Sequence, residues 1–243
     1  MDHVIERTYG RLFRYLLIMA NPFKKVVIRT ECTIHKHINE QALLILKNDG
    51  YLNAYWFFLR NLEKLNEGVV WADQDFKSSS HFFNPEKGKG LYGSLNAMTL
   101  GSDYYSKAVD YFSKEDTDNA MFYLGAAVHL VQDMTVPQHA NIRLLDNHRQ
   151  YENFIKKTYL NTPKFLADRG GYYGDDIQEY IRCNARCAIK IFSKLKDIDD
   201  SKKRYYTIAK FTLPLAQKST AGCLLTFYKN CIAKQSHIKR EIH

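Results

Sequence analysis

Two histidine–carboxylate pairs stand at helical spacing within one short part of the chain. In the stretch LGAAVHLVQDMTVPQHAN, His129 and Asp133 are four residues apart, so a helix would place them one turn apart on the same face. The same spacing separates His148 from Glu152, and His139 lies between the two pairs. These five residues fall within 24 positions, a density that favours one shared chemical role.

The surroundings of His129 and Asp133 indicate what that role is. Their neighbours are mostly alanine, valine and leucine, so this face points inward, where an unpaired carboxylate would cost several kcal/mol. Either the pair finds hydrogen-bond partners nearby, or a divalent cation lies between the side chains. Zinc takes imidazole nitrogen and carboxylate oxygen at about 2.0–2.2 Å, and these ligands suit it better than calcium or magnesium. The sequence therefore favours a zinc site over hydrogen-bonded core pairs.

Two further segments offer ligands of the same types. WADQDFKSSSHFFNP contains Asp73, Asp75 and His81, and ECTIHKHINE contains His35 and His37 just before a helical pattern. Taken alone, the first segment is typical of a solvated loop and the second of the first turn of a helix.

Helical periodicity must supply the elements that position these side chains. We predict a helix that ends at residues 48–50, a second that ends at Gly68, and a third that is capped by Asp116 or Thr117 and ends before Pro137. Residues 71–93 are rich in Ser, Gly and Asn and are predicted to form a long surface loop. No run alternates as a strand would, so the predicted fold is all-α, a single-domain helical bundle with a multinuclear zinc cleft.

Composition limits the partners and the redox chemistry. The 243 residues are 45% hydrophobic and carry a net charge of +9, which suits one core and favours anionic partners such as phospholipid surfaces, nucleic acid or phosphate esters. No obligate protein partner is evident. Five cysteines do not indicate a disulfide framework, and Cys183 and Cys187 are interpreted as buried packing residues. No run approaches the ~20 apolar residues of a membrane span.

The N-terminal stretch RTYGRLFRYLLIMANPFKK has basic flanks and a short apolar centre that Arg14 interrupts. Three interpretations stay open: a cleaved secretory signal, a basic amphipathic helix that touches a membrane, and a helix packed on the domain. We divide the chain into residues 1–30, a basic amphipathic extension, and residues 31–243, a catalytic domain.

The motifs resemble those of the bacterial zinc-dependent phospholipases C. FYLGAAVHLVQDMTVPQHAN is similar to the family signature H-x3-D followed by P-x-H-x2-N, and HRQYENF resembles the next ligand helix. WADQD, SHFFNP, IHKHINEQAL and AQKSTAG match other segments in order, from about residue 33 to about residue 228. The resemblance implies an all-helical fold, up to three zinc ions in a cleft, a phospholipid membrane surface as substrate, and secretion from the cell.

The resemblance also implies which residues bind each ion. One zinc would be held by Asp73, His81, His129 and Asp133, and a second by His139, His148 and Glu152. Asp133 would bridge to a third ion, which His35 also binds. The N-terminal tryptophan that completes the third site in the family has no counterpart ahead of His35, because Trp56 and Trp71 both follow it. A new N-terminus exposed by cleavage at residues 20–25, or else Cys32, Glu31 or His37, could complete the site.

The expected activity is zinc-dependent phosphodiester hydrolysis, most simply phospholipase C cleavage of glycerophospholipid into diacylglycerol and a phosphorylated headgroup. Asp73 would ligate zinc and also orient or deprotonate the attacking water, which makes it the predicted catalytic residue. Two other functions stay open: a single-strand nuclease or other phosphoesterase with a similar cluster, and a non-catalytic lipid-binding protein stabilised by zinc.

Overall fold

The structure is a computed structural model that describes residues 32–74, 79–91, 95–142 and 148–233. Helices account for most of these residues. Within these ranges the α-helices are α1 (Thr33–Asn48), α2 (Leu52–Arg60), α3 (Leu62–Asp73), α4 (Ala97–Ser113), α5 (Thr117–Asp133), α6 (Pro137–Asn141), α7 (His148–Thr158), α8 (Ile177–Leu195) and α9 (Ser201–Phe227). The extended pairing found in the same ranges is one antiparallel bridge between Asn84 and Lys89. The all-α prediction is confirmed. The proposed extension, residues 1–30, lies outside the described residues.

The predicted helix end at Gly68 is wrong, and the reason lies in the packing of α3 on α5. The chain breaks earlier, at Asn61, and α3 then continues through Gly68 to Asp73. A Cβ built at Gly68 would lie 1.8 Å from the carbonyl oxygen of Phe122, and one at Gly125 would lie 1.9 Å from that of Leu65. Glycine is therefore required here for close approach of two helices rather than for a turn.

The predicted surface loop at residues 71–93 is wrong in part, because α3 continues to Asp73 and residues 80–84 are buried. Two other predicted boundaries hold, with one addition. α1 ends at Asn48, and the Asp116 carboxylate accepts the Asn119 N–H at 3.1 Å to cap α5. α5 ends at Asp133, but Pro137 then begins the short helix α6. Proline suits this first helical position because its missing N–H would have no helical partner there. His139 is consequently carried by a helix.

The ends of these helices meet on one side of the bundle. His35 lies in the first turn of α1, Asp73 is the last residue of α3, and Asp133 is the last residue of α5. Because the C-terminal end of a helix carries partial negative charge, the ends of α3 and α5 favour a cation between them. A hydrophobic cluster formed by α1, α7, the turns after it and the first half of α9 packs beside this region, and it contains Ile38, Tyr151, Ile155, Tyr159 and Phe165.

The cysteines follow the sequence prediction only in part. None of the five, all of which the structure describes, forms a disulfide. The interpretation of Cys183 and Cys187 as buried is wrong, because Cys183 is half-buried and Cys187 is exposed. Among the described helices, none combines the length and the apolar character needed to cross a membrane.

Candidate metal centre

The structure brings together all eight side chains that the sequence predicts as metal ligands. They come from five helices and from the segment between α3 and α4. The donor atoms form three groups, and within each group they lie within 4.8 Å of one another. The groups are His35, His129 and Asp133; Asp73, His81 and His129; and His139, His148 and Glu152. The third group is the same set that the sequence predicts for one ion, and the other two share His129.

Asp133 lies at the centre of the cluster and contacts histidines from each of the three groups. Its Oδ2 atom lies 2.8 Å from His81 Nδ1, 3.2 Å from His129 Nε2 and 3.6 Å from His139 Nδ1. Its Oδ1 atom lies 3.6 Å from His35 Nε2. A single buried carboxylate therefore connects ring nitrogens that come from four separate positions in the sequence.

The protonation states in this cluster leave donor atoms available at neutral pH. Burial alone would raise the pKa of Asp133, but the charge of His129 and hydrogen bonds from His129 and His81 outweigh it and hold the pKa well below its usual value. Burial lowers the pKa of His139 to about 4, against the attraction of Asp133. Burial and the neighbouring His129 ring also lower the pKa of His35. The anionic Asp133 therefore faces the neutral rings of His35 and His139, the form of imidazole that binds metal ions, whereas burial of His129 is outweighed by the charge of Asp133, which raises the pKa of His129.

A buried amide network orients His35, and sequence reasoning missed it. His35 Nδ1 lies 2.8 Å from Gln132 Oε1, while Gln132 Nε2 donates to Asn39 Oδ1 at 2.8 Å and to Thr220 Oγ1 at 3.2 Å. Because Oε1 can only accept, Nδ1 carries the proton and Nε2 presents its lone pair toward Asp133. The sequence does contain a signal for this network. Gln132 is a polar residue next to Asp133 in a helix whose other buried residues are mostly apolar.

His139 is oriented in the same way by a backbone carbonyl. Its Nδ1 lies 3.3 Å from the carbonyl oxygen of His81, and its ring stacks on Phe82 at a centroid distance of 4.7 Å and an angle of 4°. Its other nitrogen, Nε2, lies 2.9 Å from His148 Nε2, which in turn lies 3.1 Å from Glu152 Oε1. Two ring nitrogens and a carboxylate oxygen thus converge on one point.

The residues considered for the third site differ in their distance from the cluster. His37 Nδ1 lies 2.7 Å from Glu40 Oε2, and its ring packs on Tyr159, so it is engaged outside the three groups. Cys32 is buried, and its thiol donates to Asp73 Oδ2 at 3.2 Å. It does so from a left-handed backbone conformation with φ 46°, which is uncommon for a residue other than glycine. Glu31 lies outside the described residues.

The cluster is buried at its centre and partly exposed at its margins. His81 and His129 are 1% and 0% exposed, whereas the Glu152 side chain is 45% exposed. The most exposed of these side chains is Glu152, and the His35 side chain is also partly exposed, at 20%.

Comparison with known proteins agrees with this picture. The sequence model of the family described as zinc dependent phospholipase C matches residues 34–211. A phospholipase C of Listeria monocytogenes is 28% identical over 196 residues, which are 72% of this chain and 66% of that protein. A phospholipase C of Bacillus cereus is 30% identical over 170 residues, which are 64% of this chain and 59% of that protein.

The fold also has a counterpart among solved structures. The alpha toxin of Clostridium absonum superposes with a TM-score of 0.71 at 22% identity, covering 83% of this chain and 64% of the toxin chain. At this identity the likeness concerns the fold alone. The chain spans about two thirds or less of the length of these relatives.

Proposed function

Because this chain belongs to the zinc-dependent phospholipase C family, we propose that it hydrolyses glycerophospholipids to diacylglycerol and a phosphorylated headgroup. The observation that carries the proposal is that two donor groups share His129 and that Asp133 contacts histidines of all three groups, in one largely buried cluster. Several closely spaced cations suit an anionic phosphodiester, because they neutralise both its charge and the charge that develops during attack.

The residues present fit zinc by their chemistry. All donors are imidazole nitrogens or carboxylate oxygens, the ligand types of catalytic zinc sites. His129 Nε2 lies 3.3 Å from His81 Nδ1, and the Nε2 atoms of His139 and His148 face each other at 2.9 Å. A positive ion placed among these atoms would satisfy lone pairs that otherwise oppose one another.

We assign the ligands as follows. Asp73, His81, His129 and Asp133 would hold one ion, and His139, His148 and Glu152 a second. Asp133 and His35 would share a third, to which the Cys32 thiol adds no donor, because burial and Asp73 raise its pKa and its proton is donated to Asp73. When bound, zinc supplies Lewis-acid chemistry: it lowers the pKa of water toward about 7 and polarises the phosphate.

The protein's own groups then position the reactants. The Asp73 carboxylate, held by the Cys32 thiol at Oδ2, would orient the attacking water and accept its proton through a carboxylate oxygen. Gln132 fixes the proton of His35 on Nδ1, and the His81 carbonyl does the same for His139, so neither ring can turn away from the cluster. Burial of His81 and His129 excludes bulk water from the centre of the cluster, while the lipid phosphate enters past Glu152.

The test combines metal content with product analysis. Protein purified without added metal would be measured by plasma mass spectrometry, and the same preparation assayed for release of phosphorylated headgroup from mixed phospholipid vesicles. Two to three zinc ions per chain with chelator-sensitive headgroup release are expected. Zinc without lipid cleavage but with cleavage of single-stranded nucleic acid would replace this function with the nuclease alternative. Absence of zinc would reject the metal centre altogether.

A further inference from the structure

An exposed surface with mixed basic and apolar side chains lies beside the exposed Glu152 side of the metal cluster. It is formed by the end of α7, residues 159–167 and the exposed side of α9. Three large apolar side chains stand on it: Leu160 is 63% exposed, Leu166 40% and Tyr206 36%. We call this area, together with the exposed lysines Lys156, Lys164, Lys203 and Lys210, the interfacial surface.

Packing beneath the interfacial surface keeps these side chains outside. Tyr159 and Phe165 are buried, and the Phe165 ring packs on Tyr206 at 5.4 Å. Gln217 of α9 donates from Nε2 to the Phe165 carbonyl at 2.8 Å and to the Tyr159 hydroxyl at 3.1 Å, and its Oε1 accepts the Ala167 N–H at 2.7 Å. Because residues 159–167 are held along α9 at three points, Leu160 and Leu166 cannot turn into the core without breaking these bonds.

The charge of the interfacial surface has one sign. Residues 153–167 and 201–220 contain no aspartate or glutamate. Of the acids that flank these segments, Glu152 pairs with His148, Asp168 lies 3.8 Å from Arg169, and Asp200 caps α9, while no described ion pair joins Asp197 or Asp199 to the lysines of this surface. The lysines of this surface therefore face solvent with their charge uncompensated by the described acids.

The interfacial surface continues directly from the metal cluster. Lys156 follows Glu152 by four residues on α7, which is one turn or about 6 Å along the helix axis. The Tyr159 ring lies 5.8 Å from the ring of His37, two residues from His35. A flat layer that touches Leu160 and Lys156 would therefore present its polar groups close to the exposed Glu152 side of the cluster.

We propose that the interfacial surface docks the enzyme on an anionic phospholipid bilayer, which deepens the proposed function by naming the face through which the lipid is reached. Leucine and tyrosine suit the boundary between headgroups and acyl chains, and lysines around them attract lipid phosphates. A protein partner fits less well, because the cores of protein interfaces are depleted of lysine. A second copy of the chain would place like charges opposite one another.

The test uses the full chain and two matched pairs of substitutions. Leu160→Ser with Leu166→Ser removes the apolar part of the interfacial surface. Leu52→Ser with Leu59→Ser removes two leucines of similar exposure, 51% and 39%, on α2. α2 lies outside the interfacial surface and follows the end of α1 that is about 20 Å along the helix from His35, so this pair is the control. Binding would be measured by co-sedimentation with vesicles of phosphatidylcholine, alone or with about 30% phosphatidylglycerol to give an anionic surface.

The expected results separate this proposal from the activity itself. The parent chain and the α2 control should bind anionic vesicles equally well, and added salt should weaken the binding of both. The Leu160/Leu166 variant should bind these vesicles at least about tenfold more weakly. All three should hydrolyse a monomeric short-chain phospholipid at equal rates. Equal vesicle binding by the two variants, or no preference for anionic lipid, would overturn the docking proposal. If the parent chain failed to hydrolyse the monomeric lipid, the proposed function would be wrong. Vesicle binding would still test the docking proposal, because it is measured without hydrolysis.

Discussion

Replacing Asp133 with asparagine would test most directly whether its carboxylate is a shared metal ligand. The Asp133 carboxylate contacts four histidines, at 2.8 to 3.6 Å, and belongs to the donor group of His35 and His129. Asparagine keeps the shape and one acceptor oxygen but loses the negative charge and the second acceptor. We expect the variant to fold and to lose both zinc and headgroup release.

The size of the effect follows from linkage. At free zinc 100-fold above the dissociation constant, each occupied site adds about 2.7 kcal/mol to the free energy of unfolding. Asp133 lies within ligand distance of two of the proposed sites, so its loss should remove about 3–5 kcal/mol of zinc-dependent stability. For a chain of this size that corresponds to roughly 6–20 °C in Tm. In chelator the cost should be smaller, about 1–3 kcal/mol, because only hydrogen bonds to a charged group are weakened.

Thermal unfolding followed by circular dichroism, with zinc and with chelator, measures this difference, and plasma mass spectrometry of the same samples gives zinc per chain. Asp118→Asn is the matched control, because Asp118 is an exposed residue in the first turn of the same helix. If Asp133→Asn kept the full zinc-dependent shift in Tm and the full zinc content, the bridging role of Asp133 would be wrong.

Three further predictions concern other parts of the structure. Gly125→Ala should lower the free energy of unfolding in urea by at least about 2 kcal/mol through the clash with α3, whereas a helix without that contact would gain stability. His35→Ala should lower the zinc content per chain, and His37→Ala, two residues away, should leave it unchanged. Hydrogen bonds from the backbone N–H groups of Gly171 and Gly170 and from Tyr173 outweigh burial and lower the pKa of Asp49 below its usual 3.8. The ionised Asp49 therefore stabilises the fold above pH 3.8, and this stabilisation is lost as the pH falls through the lowered pKa of the folded state. Asp49→Asn should accordingly shift the urea midpoint at pH 7 and lose that shift as the pH drops below 3.8, and an equal shift at both pH values would contradict the assignment.

The family and the fold class were accessible from the sequence because they depend on local patterns. Spacing of four residues places His129 above Asp133 and His148 above Glu152 on any helix, and the periodicity of the chain leaves no room for strands. The residue types alone then restrict the chemistry to a borderline metal such as zinc. None of these inferences required knowledge of which helix lies beside which.

Tertiary structure decided what depends on contacts between distant segments. Gly68 resembles a helix end in the sequence, and only the carbonyl of Phe122 against its missing Cβ explains why the helix continues. His35 and His37 differ little in their sequence surroundings, but Gln132 orients one of them and Glu40 engages the other. The exposure of Leu160 and Leu166 likewise comes from three hydrogen bonds to Gln217, at least 50 residues away. Local periodicity fixes which face of a helix is apolar, but which neighbour covers that face, and which side chains are left outside, is determined only when the helices pack.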